Sequence, residues 1–173
     1  MSTKFKVNIS GADISVGKDS ITVKGKEGEA TLQLKYPFIH ITKTDNTLLI
    51  EAETDNGYQK AIAGTLAADI KNMLSGVSEK YTAELELVYM HFPASIKISN
   101  DKLIVENFVG ERKPREIPIP KGVEVKVTGT KINISGIDKY TVGQLAGTIE
   151  SKIQIKNKDR RVFKDGIFIT KKP

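Results

Sequence analysis

The tetrapeptide Ala63-Gly64-Thr65-Leu66 returns in the second half of the chain as Ala146-Gly147-Thr148-Ile149, and this repeat indicates how the chain is built. One tetrapeptide can recur by chance, but further matches follow in the same order and at almost the same offset. They pair Ile14-Ser15-Val16 with Ile96-Lys97-Ile98, Asp19-Ser20-Ile21-Thr22-Val23 with Asp101-Lys102-Leu103-Ile104-Val105, Gly28-Glu29 with Gly110-Glu111, Asp55 with Asp138, and Ile70 with Ile153. Ordered matches of this kind indicate an internal duplication.

Each copy contains one segment with the periodicity of an amphipathic helix. In the first copy the apolar stripe consists of Ile62, Leu66, Ile70 and Met73. In the second copy it consists of Val142, Leu145, Ala146, Ile149 and Ile153. Gly76 is the expected end of the first helix. Gly64 and Gly147 occupy equivalent helix positions. Their presence in both copies indicates either that helix and sheet pack closely at this point or that the glycine was simply inherited from the duplicated ancestor.

Polar residues mark where the two helices begin. Asp55 or Asn56 can cap the first helix, since short polar side chains accept hydrogen bonds from the free N–H groups of the first turn. Asp138 is the expected cap of the second helix by analogy with Asp55. Thr141 with Gln144 offers a competing capping box.

Short alternating segments surround the helices and predict β-strands. One further strand is expected after each helix, over residues 83–89 and 161–170. The prolines of the segment 113–120 restrict it to an edge or a loop, because proline has no amide hydrogen for a sheet. The predicted fold is therefore α+β: two tandem units, residues 1–88 and 89–173, each a small, mainly antiparallel sheet packed against one helix.

Charge divides the two copies. The chain carries a formal net charge of +6, yet residues 1–88 hold 10 basic and 12 acidic side chains while residues 89–173 hold 17 and 9. All four arginines lie in the second copy. Because the guanidinium group suits phosphate, this half is typical of a polyanion-binding surface, although a basic surface can also serve solubility alone.

Composition argues against several classes of protein. With no cysteine and two histidines, the chain offers no thiolate chemistry and few metal ligands. His40 and His91 have no carboxylate cluster near them in sequence, so we expect no catalytic residues, no metal site, no cofactor and no enzymatic activity. The chain has neither a long apolar run nor a leader-like start, which predicts a cytoplasmic protein without a membrane partner.

The densest functional signal is the segment 156–172, which carries seven basic and two acidic residues. The dipole at the end of the second helix explains Lys156 and Lys158, but not the cations that follow. Phe163 and Phe168 could stack on bases, although their apolar neighbours favour a core position. Asp165 with Gly166 is expected to form a bend that interrupts or begins the last strand.

This region resembles the C-terminal signature of the ribosomal protein L6 family, in its archaeal and eukaryotic branch. The residues that carry the likeness are Lys158, Arg161, Phe163 and Asp165-Gly166-Ile167-Phe168-Ile169, together with Tyr89-Met90-His91-Phe92-Pro93, Asn107-Phe108-Val109-Gly110-Glu111-Arg112, Gly136-Ile137-Asp138-Lys139 and Val142-Gly143-Gln144. Ser151 stands where glutamine is usual, and Phe168 replaces a common tyrosine.

The resemblance implies a structural protein of the large ribosomal subunit, bound to 23S-type rRNA mainly through its second copy. It implies a place at the stalk base near the sarcin–ricin loop, with neighbouring ribosomal proteins and translational GTPases as partners. The alternative is a protein-interaction or general nucleic-acid-binding module outside the ribosome. The predicted RNA-binding residues are Arg112, Lys113, Arg115, Lys156, Lys158, Arg160, Arg161, Lys164, Lys171 and Lys172.

Overall fold

A computed structural model describes residues 4–9, 12–17, 20–44, 47–54, 56–159 and 161–173. The chain forms two compact units, Met1–Lys80 and Tyr81–Pro173, which we call unit 1 and unit 2. The α+β fold with duplicated sheet-plus-helix units is confirmed. By the observed division, unit 1 has 10 basic and 10 acidic residues and unit 2 has 17 and 11, so the excess of positive charge lies in unit 2.

The described residues of unit 1 form two three-stranded antiparallel sheets and one helix. Its elements are β1 (Lys4–Asn8), β2 (Asp13–Val16), β3 (Ser20–Gly25), β4 (Gly28–Gln33), β5 (Ile39–Thr44), β6 (Thr47–Ala52) and α1 (Gly57–Ser78). The strand orders are β1-β6-β5 and β2-β3-β4. Alternation along β3 and β6 buries Ile21, Val23, Leu48 and Ile50, so these strands present one apolar face to the core.

Unit 2 repeats this plan with one strand more. Its elements are β7 (Tyr81–Val88), β8 (Ser95–Ser99), β9 (Lys102–Glu106), a short 3₁₀ helix (Phe108–Gly110), β10 (Arg115–Pro118), β11 (Val123–Thr128), β12 (Lys131–Gly136), α2 (Lys139–Lys152) and β13 (Gly166–Lys171). The strand orders are β11-β12-β7-β13 and β10-β9-β8. Helix α2 contacts β7, β12 and β13 and buries Val142, Leu145, Ala146 and Ile149 between itself and the sheet.

The strand registers show the duplication directly. Ile14 lies opposite Val23 in unit 1, and Ile96 lies opposite Val105 in unit 2. Both positions of the first pair map onto the second pair by the same offset that relates the two copies in sequence. Since a slip of a single position would move every side chain to the other face, the shared register preserves the same buried face in both units.

The segment 83–89 is a strand, but it does not close the first copy as expected. Strand β7 lies between β12 and β13 in the sheet of unit 2. Its pairing of Ala83 with Ile134 repeats the pairing of Phe5 with Ile50 in unit 1, so β7 is the counterpart of β1 and opens unit 2. The division accordingly lies between Lys80 and Tyr81, rather than after Val88.

The two helix starts are capped by side chains. Asn56 accepts a hydrogen bond from the N–H of Tyr58, while Asp55 lies outside the described residues. Asp138 accepts from the N–H groups of Tyr140 and Thr141, which confirms it as the cap of α2.

The predictions made for Gly76, Gly64 and Gly147 are wrong in their structural part. Gly76 does not end α1, which continues to Ser78. A Cβ at Gly64 would meet Phe5 Cζ at an ordinary 3.6 Å, and one at Gly147 would meet nothing within 4 Å. Helix and sheet approach each other closely instead at Gly25, where a Cβ would come within 2.7 Å of Val77 Cγ2, and at Gly136, where it would come within 2.9 Å of Val142 Cγ2.

Candidate nucleic-acid interface

Three segments of unit 2 meet at the loop that follows β7, residues 89–94. Asp165, only 4 % exposed, receives the N–H groups of Met90 and His91 at 2.8 and 3.2 Å. Its second oxygen lies 2.7 Å from Nδ1 of His91. These bonds join positions 74 and 75 residues apart, so Asp165 fastens the loop to the segment that precedes β13.

Burial and hydrogen bonding shift the pKa of Asp165 in opposite directions. Burial alone would raise its pKa, because a low-dielectric surrounding disfavours the charged carboxylate. The N–H groups of Met90 and His91 and the His91 ring outweigh this, and the pKa lies below the ordinary value. Asp165 is therefore an ionised acceptor at neutral pH, and Nδ1 of His91 donates to it.

The other side of the loop is fixed to the segment after β9. Asn107 donates from Nδ2 to the carbonyl oxygen of Pro93 at 2.9 Å. A Cβ at Gly110 would touch the ring of Phe92 at 3.5 Å, so the ring lies over this glycine. Asn107, Val109 and Gly110 all have positive φ, a conformation that is rare for a β-branched residue such as valine. This tight turn leads directly into the basic pair at 112–113.

Aromatic contacts also join the loop 89–94 to the segment that precedes β13. The ring of His91 stacks on that of Phe163, with centroids 4.7 Å apart and planes 26° from parallel. Nζ of Lys158 lies 4.5 Å from the centroid of Phe163. Phe163 is half-buried, so it supports the loop rather than the centre of the core.

Exposed cations lie on the two segments that hold this loop, and we call the surface the three-segment interface: residues 89–94, 107–113, 154–159 and 161–165. Its exposed basic residues without an ion-pair partner in the part of the chain described are Arg112, Lys113, Lys156, Lys158, Arg161 and Lys164. Four of the eight exposed large hydrophobic residues described also lie here: Tyr89, Met90, Phe92 and Val162. Uncompensated cations beside exposed apolar groups suit a ligand with both phosphates and rings.

Arg115 differs from the other predicted RNA-binding residues because its guanidinium group is engaged within the protein. Nε and one terminal nitrogen form a two-pronged pair with Glu111. The other terminal nitrogen donates to the carbonyl oxygens of Lys152 and Gln154 at 2.7 and 3.2 Å. The group also lies 4.6 Å from the ring centroid of Phe108. This geometry gives Arg115 a structural role at the end of α2.

Lys171 and Lys172 do not join the three-segment interface. In the β13–β7 pairing Gly166 lies opposite Val88, whereas Lys171 lies opposite Glu84 at the far end of the strand. Nζ of Lys171 is 3.9 Å from Glu84. Arg160 lies outside the described residues. The predicted strand at 161–170 begins only at Gly166, so Arg161 precedes it in a turn.

Charge counting missed the residues that organise this surface. Asp165, His91 and Asn107 carry no excess positive charge, yet their hydrogen bonds bring the three segments together. The only signal for them was their presence in the motifs that resemble one family. Their partners lie in distant parts of the sequence, which no local pattern reveals.

Other classes of site find no support in the described part of the chain. No three His, Asp or Glu residues there are grouped as a metal ion would require. His40 lies on an exposed strand with Nε2 3.3 Å from Glu53. No described helix is both long and apolar enough to cross a lipid bilayer.

Comparison with known proteins finds sequence similarity that includes most of these three segments. The sequence profile described as Ribosomal protein L6 matches residues 92–166, which include most of the three-segment interface. The large ribosomal subunit protein uL6 of Methanosarcina mazei is 41 % identical over 94 % of this chain and 92 % of its own length.

The chain belongs to the ribosomal protein L6 family. The uL6 proteins of Haloarcula marismortui and Methanobrevibacter smithii are 38 % and 35 % identical, over 93 % and 94 % of this chain and 92 % and 91 % of their own. The likeness thus covers both units of this L6 protein. These relatives are archaeal, which confirms the branch indicated by the motifs.

Proposed function

We propose that this L6 protein is a structural constituent of the large ribosomal subunit, without enzymatic activity, and that unit 2 binds rRNA through the three-segment interface. The observation that carries the proposal is the set of exposed cations on the two segments that Asp165 and Asn107 join to the loop 89–94. The loop 89–94 carries no basic residue itself, but its hydrogen bonds hold in place the backbone of the two segments that carry the cations, which lowers the ordering cost of binding. The names of the relatives agree with this assignment.

Backbone contacts should dominate this binding. Folded RNA offers phosphates, 2′-hydroxyls and shape more readily than base edges in its deep major groove. Arg112 and Arg161 can each grip a phosphate with two parallel hydrogen bonds, and the lysines add point charges. Unit 1, with equal numbers of basic and acidic residues, should contribute little of the attraction.

The family resemblance adds a location to the proposal. We infer a position at the stalk base near the sarcin–ricin loop, in cytoplasmic ribosomes, with ribosomal proteins as neighbours and translational GTPases docking nearby. Cross-linking of intact subunits tests this: cross-links from the chain to rRNA and proteins of the stalk base are expected. Cross-links confined to a distant part of the subunit would contradict the location and leave the RNA-binding proposal standing.

A salt titration tests the binding itself. If the full chain neutralises about five to eight phosphates, the logarithm of its affinity for a large-subunit rRNA transcript should fall with the logarithm of salt at a slope of roughly −4 to −7. Arg160→Ala combined with Arg161→Ala should weaken binding without unfolding the chain. A flat salt response would remove the phosphate-contact account, and unfolding of the double variant would assign these arginines to structure.

A protein-interaction module is the second candidate, and one feature of unit 1 favours it. The rings of Tyr36, Phe38 and Tyr58 lie close together, with centroids 5.8 and 6.2 Å apart, and both tyrosines are exposed. Exposed aromatic clusters are frequent at protein interfaces. Sedimentation separates the candidates: travel with large subunits and release at high salt supports the ribosomal function, whereas a separate, smaller complex supports the second.

A further inference from the structure

We propose that an unpaired base of the bound RNA stacks on the outward face of His91, and that Asp165 is the positioning residue that holds the ring ready for it. This inference rests on the proposed function and specifies what its RNA must offer. It adds a base contact to an interface that charge alone would explain by phosphates.

The geometry of His91 suits stacking. One face of the imidazole is covered by Phe163 at 4.7 Å, while 38 % of the His91 side chain is still exposed. A base on the open face would extend the pair into a column of three rings. Stacking of a base on an aromatic ring contributes about 1–3 kcal/mol and tolerates any base, since every base has a π-face.

The ring is also held before any ligand arrives. Its Nδ1 donates to Asp165, and its own backbone N–H donates to the same carboxylate. Two attachments to one buried group fix both the ring and the chain that carries it. The entropy of ordering this side chain is therefore lost on folding instead of on binding.

The neighbours of His91 favour a nucleotide over a purely apolar ligand. Met90, which directly precedes His91 in the chain, is 67 % exposed and offers apolar surface to a base. Lys158 contacts Phe163, and Lys164 adjoins Asp165 in the chain, so positive charge is available for the flanking phosphates. A base inside a duplex has both faces covered, so the partner must be a loop, a bulge or a strand end.

The test compares two substitutions that lose the same hydrogen bond. His91→Phe and His91→Leu both remove the Nδ1–Asp165 contact, but only phenylalanine can stack. With the full chain and a large-subunit rRNA transcript, we expect His91→Leu to weaken binding about five- to a hundred-fold. His91→Phe should bind at least about five-fold more tightly than His91→Leu, and neither should change the salt slope. Tyr140→Ala is the matched control, since Tyr140 is an exposed aromatic residue (75 %) on α2 of the same unit, and its affinity should be unchanged.

Ultraviolet cross-linking gives a second readout, because stacked aromatic residues and bases react at zero length. A cross-link between the loop 89–94 and an unpaired nucleotide is expected. Equal affinities of the leucine and phenylalanine variants, or a change of salt slope, would overturn the stacking contact while leaving rRNA binding intact. Normal rRNA affinity with loss of the leucine variant from subunits would assign His91 to a protein neighbour instead. Failure of the unaltered chain to bind rRNA would overturn both proposals.

Discussion

The Asp165 carboxylate and the His91 imidazole lie 2.7 Å apart although 74 residues separate them in the chain. This contact joins the middle of the loop after β7 to the residue that precedes β13, and β7 and β13 pair side by side in the sheet. The Asp165–His91 contact therefore holds the adjacent ends of β7 and β13 together and also supports the exposed loop 89–94. Its consequences can be measured in stability and in binding.

Asp165→Asn should lower the stability of unit 2. The amide oxygen of asparagine can still accept from the N–H groups of Met90 and His91, but its NH2 group replaces the oxygen that accepts from Nδ1 of His91, and the negative charge is lost. A loss of about 1–3 kcal/mol in the free energy of unfolding is expected. Urea unfolding at neutral pH measures it, and an unchanged midpoint would show that the fastening contributes little.

The same substitution should change the acid response. Because folding lowers the pKa of Asp165, its contribution is fully present above the unfolded pKa, close to the ordinary value of 3.8. It is lost as the pH falls through the folded pKa. The gap in stability between the unaltered chain and Asp165→Asn should therefore shrink below about pH 4. A gap that stays constant down to the acid transition would contradict this assignment.

Arg115→Lys should impair folding rather than RNA binding. Lysine keeps the charge but cannot reproduce the two-pronged pair with Glu111 together with the bonds to the carbonyls of Lys152 and Gln154. We expect unfolding to become easier by about 1–3 kcal/mol, while the salt slope of rRNA binding stays the same. A reduced slope without loss of stability would instead make Arg115 a phosphate contact.

Arg161→Ala combined with Lys164→Ala should show the opposite pattern. Both side chains are exposed, so the melting temperature should hold, while the magnitude of the salt slope should fall by about 2. Lys126→Ala, an exposed lysine on β11 outside the three-segment interface, serves as the control and should leave the slope intact. If Lys126→Ala reduced the salt slope as much as the double variant does, the RNA would be attracted by the overall positive charge of unit 2 instead of by a defined interface.

The strand β7 sets the limit of unit 2. A fragment of residues 81–173 should fold, whereas residues 89–173 should not, because β7 lies between β12 and β13 and buries Ala83, Leu85 and Leu87. Circular dichroism and thermal melting of the two fragments decide the point. Cooperative melting of the shorter fragment at the same temperature would place the boundary after Val88 instead.

How far the sequence predicts this molecule depends on how local each determinant is. The duplication, the stripe of the second helix and the Asp138 cap are local patterns, and all are present in the structure. In α1 the buried stripe is Ala63, Leu66, Ile70, Leu74 and Val77, so the expected Ile62 and Met73 lie at its edges and are half-buried. The prediction that β7 belongs to the first copy was wrong. A strand that follows a helix in sequence can pair with strands that precede the helix or with strands that come later in the chain. Only the pairing of β7 with Ile134 in β12 shows that it opens unit 2.

The site divides in the same way. Exposed cations such as Arg112 and Lys164 follow from composition, since charged side chains seldom lie inside a fold. Arg115 looks identical to them in sequence, yet its hydrogen bonds to Glu111 and to the end of α2 make it structural. Asp165 is acidic in a basic segment, so counting charge would discard the residue on which the loop depends.

The reactivity of individual lysines shows whether unit 2 or unit 1 contacts the rRNA. The full chain is acetylated under mild conditions, free and bound to a protein-free large-subunit rRNA transcript, and modification is quantified by mass spectrometry. The account predicts protection of Lys113, Lys156, Lys158 and Lys164 on binding, with Lys26, Lys35 and Lys60 of unit 1 as reactive as before. Protection of the unit 1 lysines, with the four lysines of the three-segment interface left fully reactive, would contradict it.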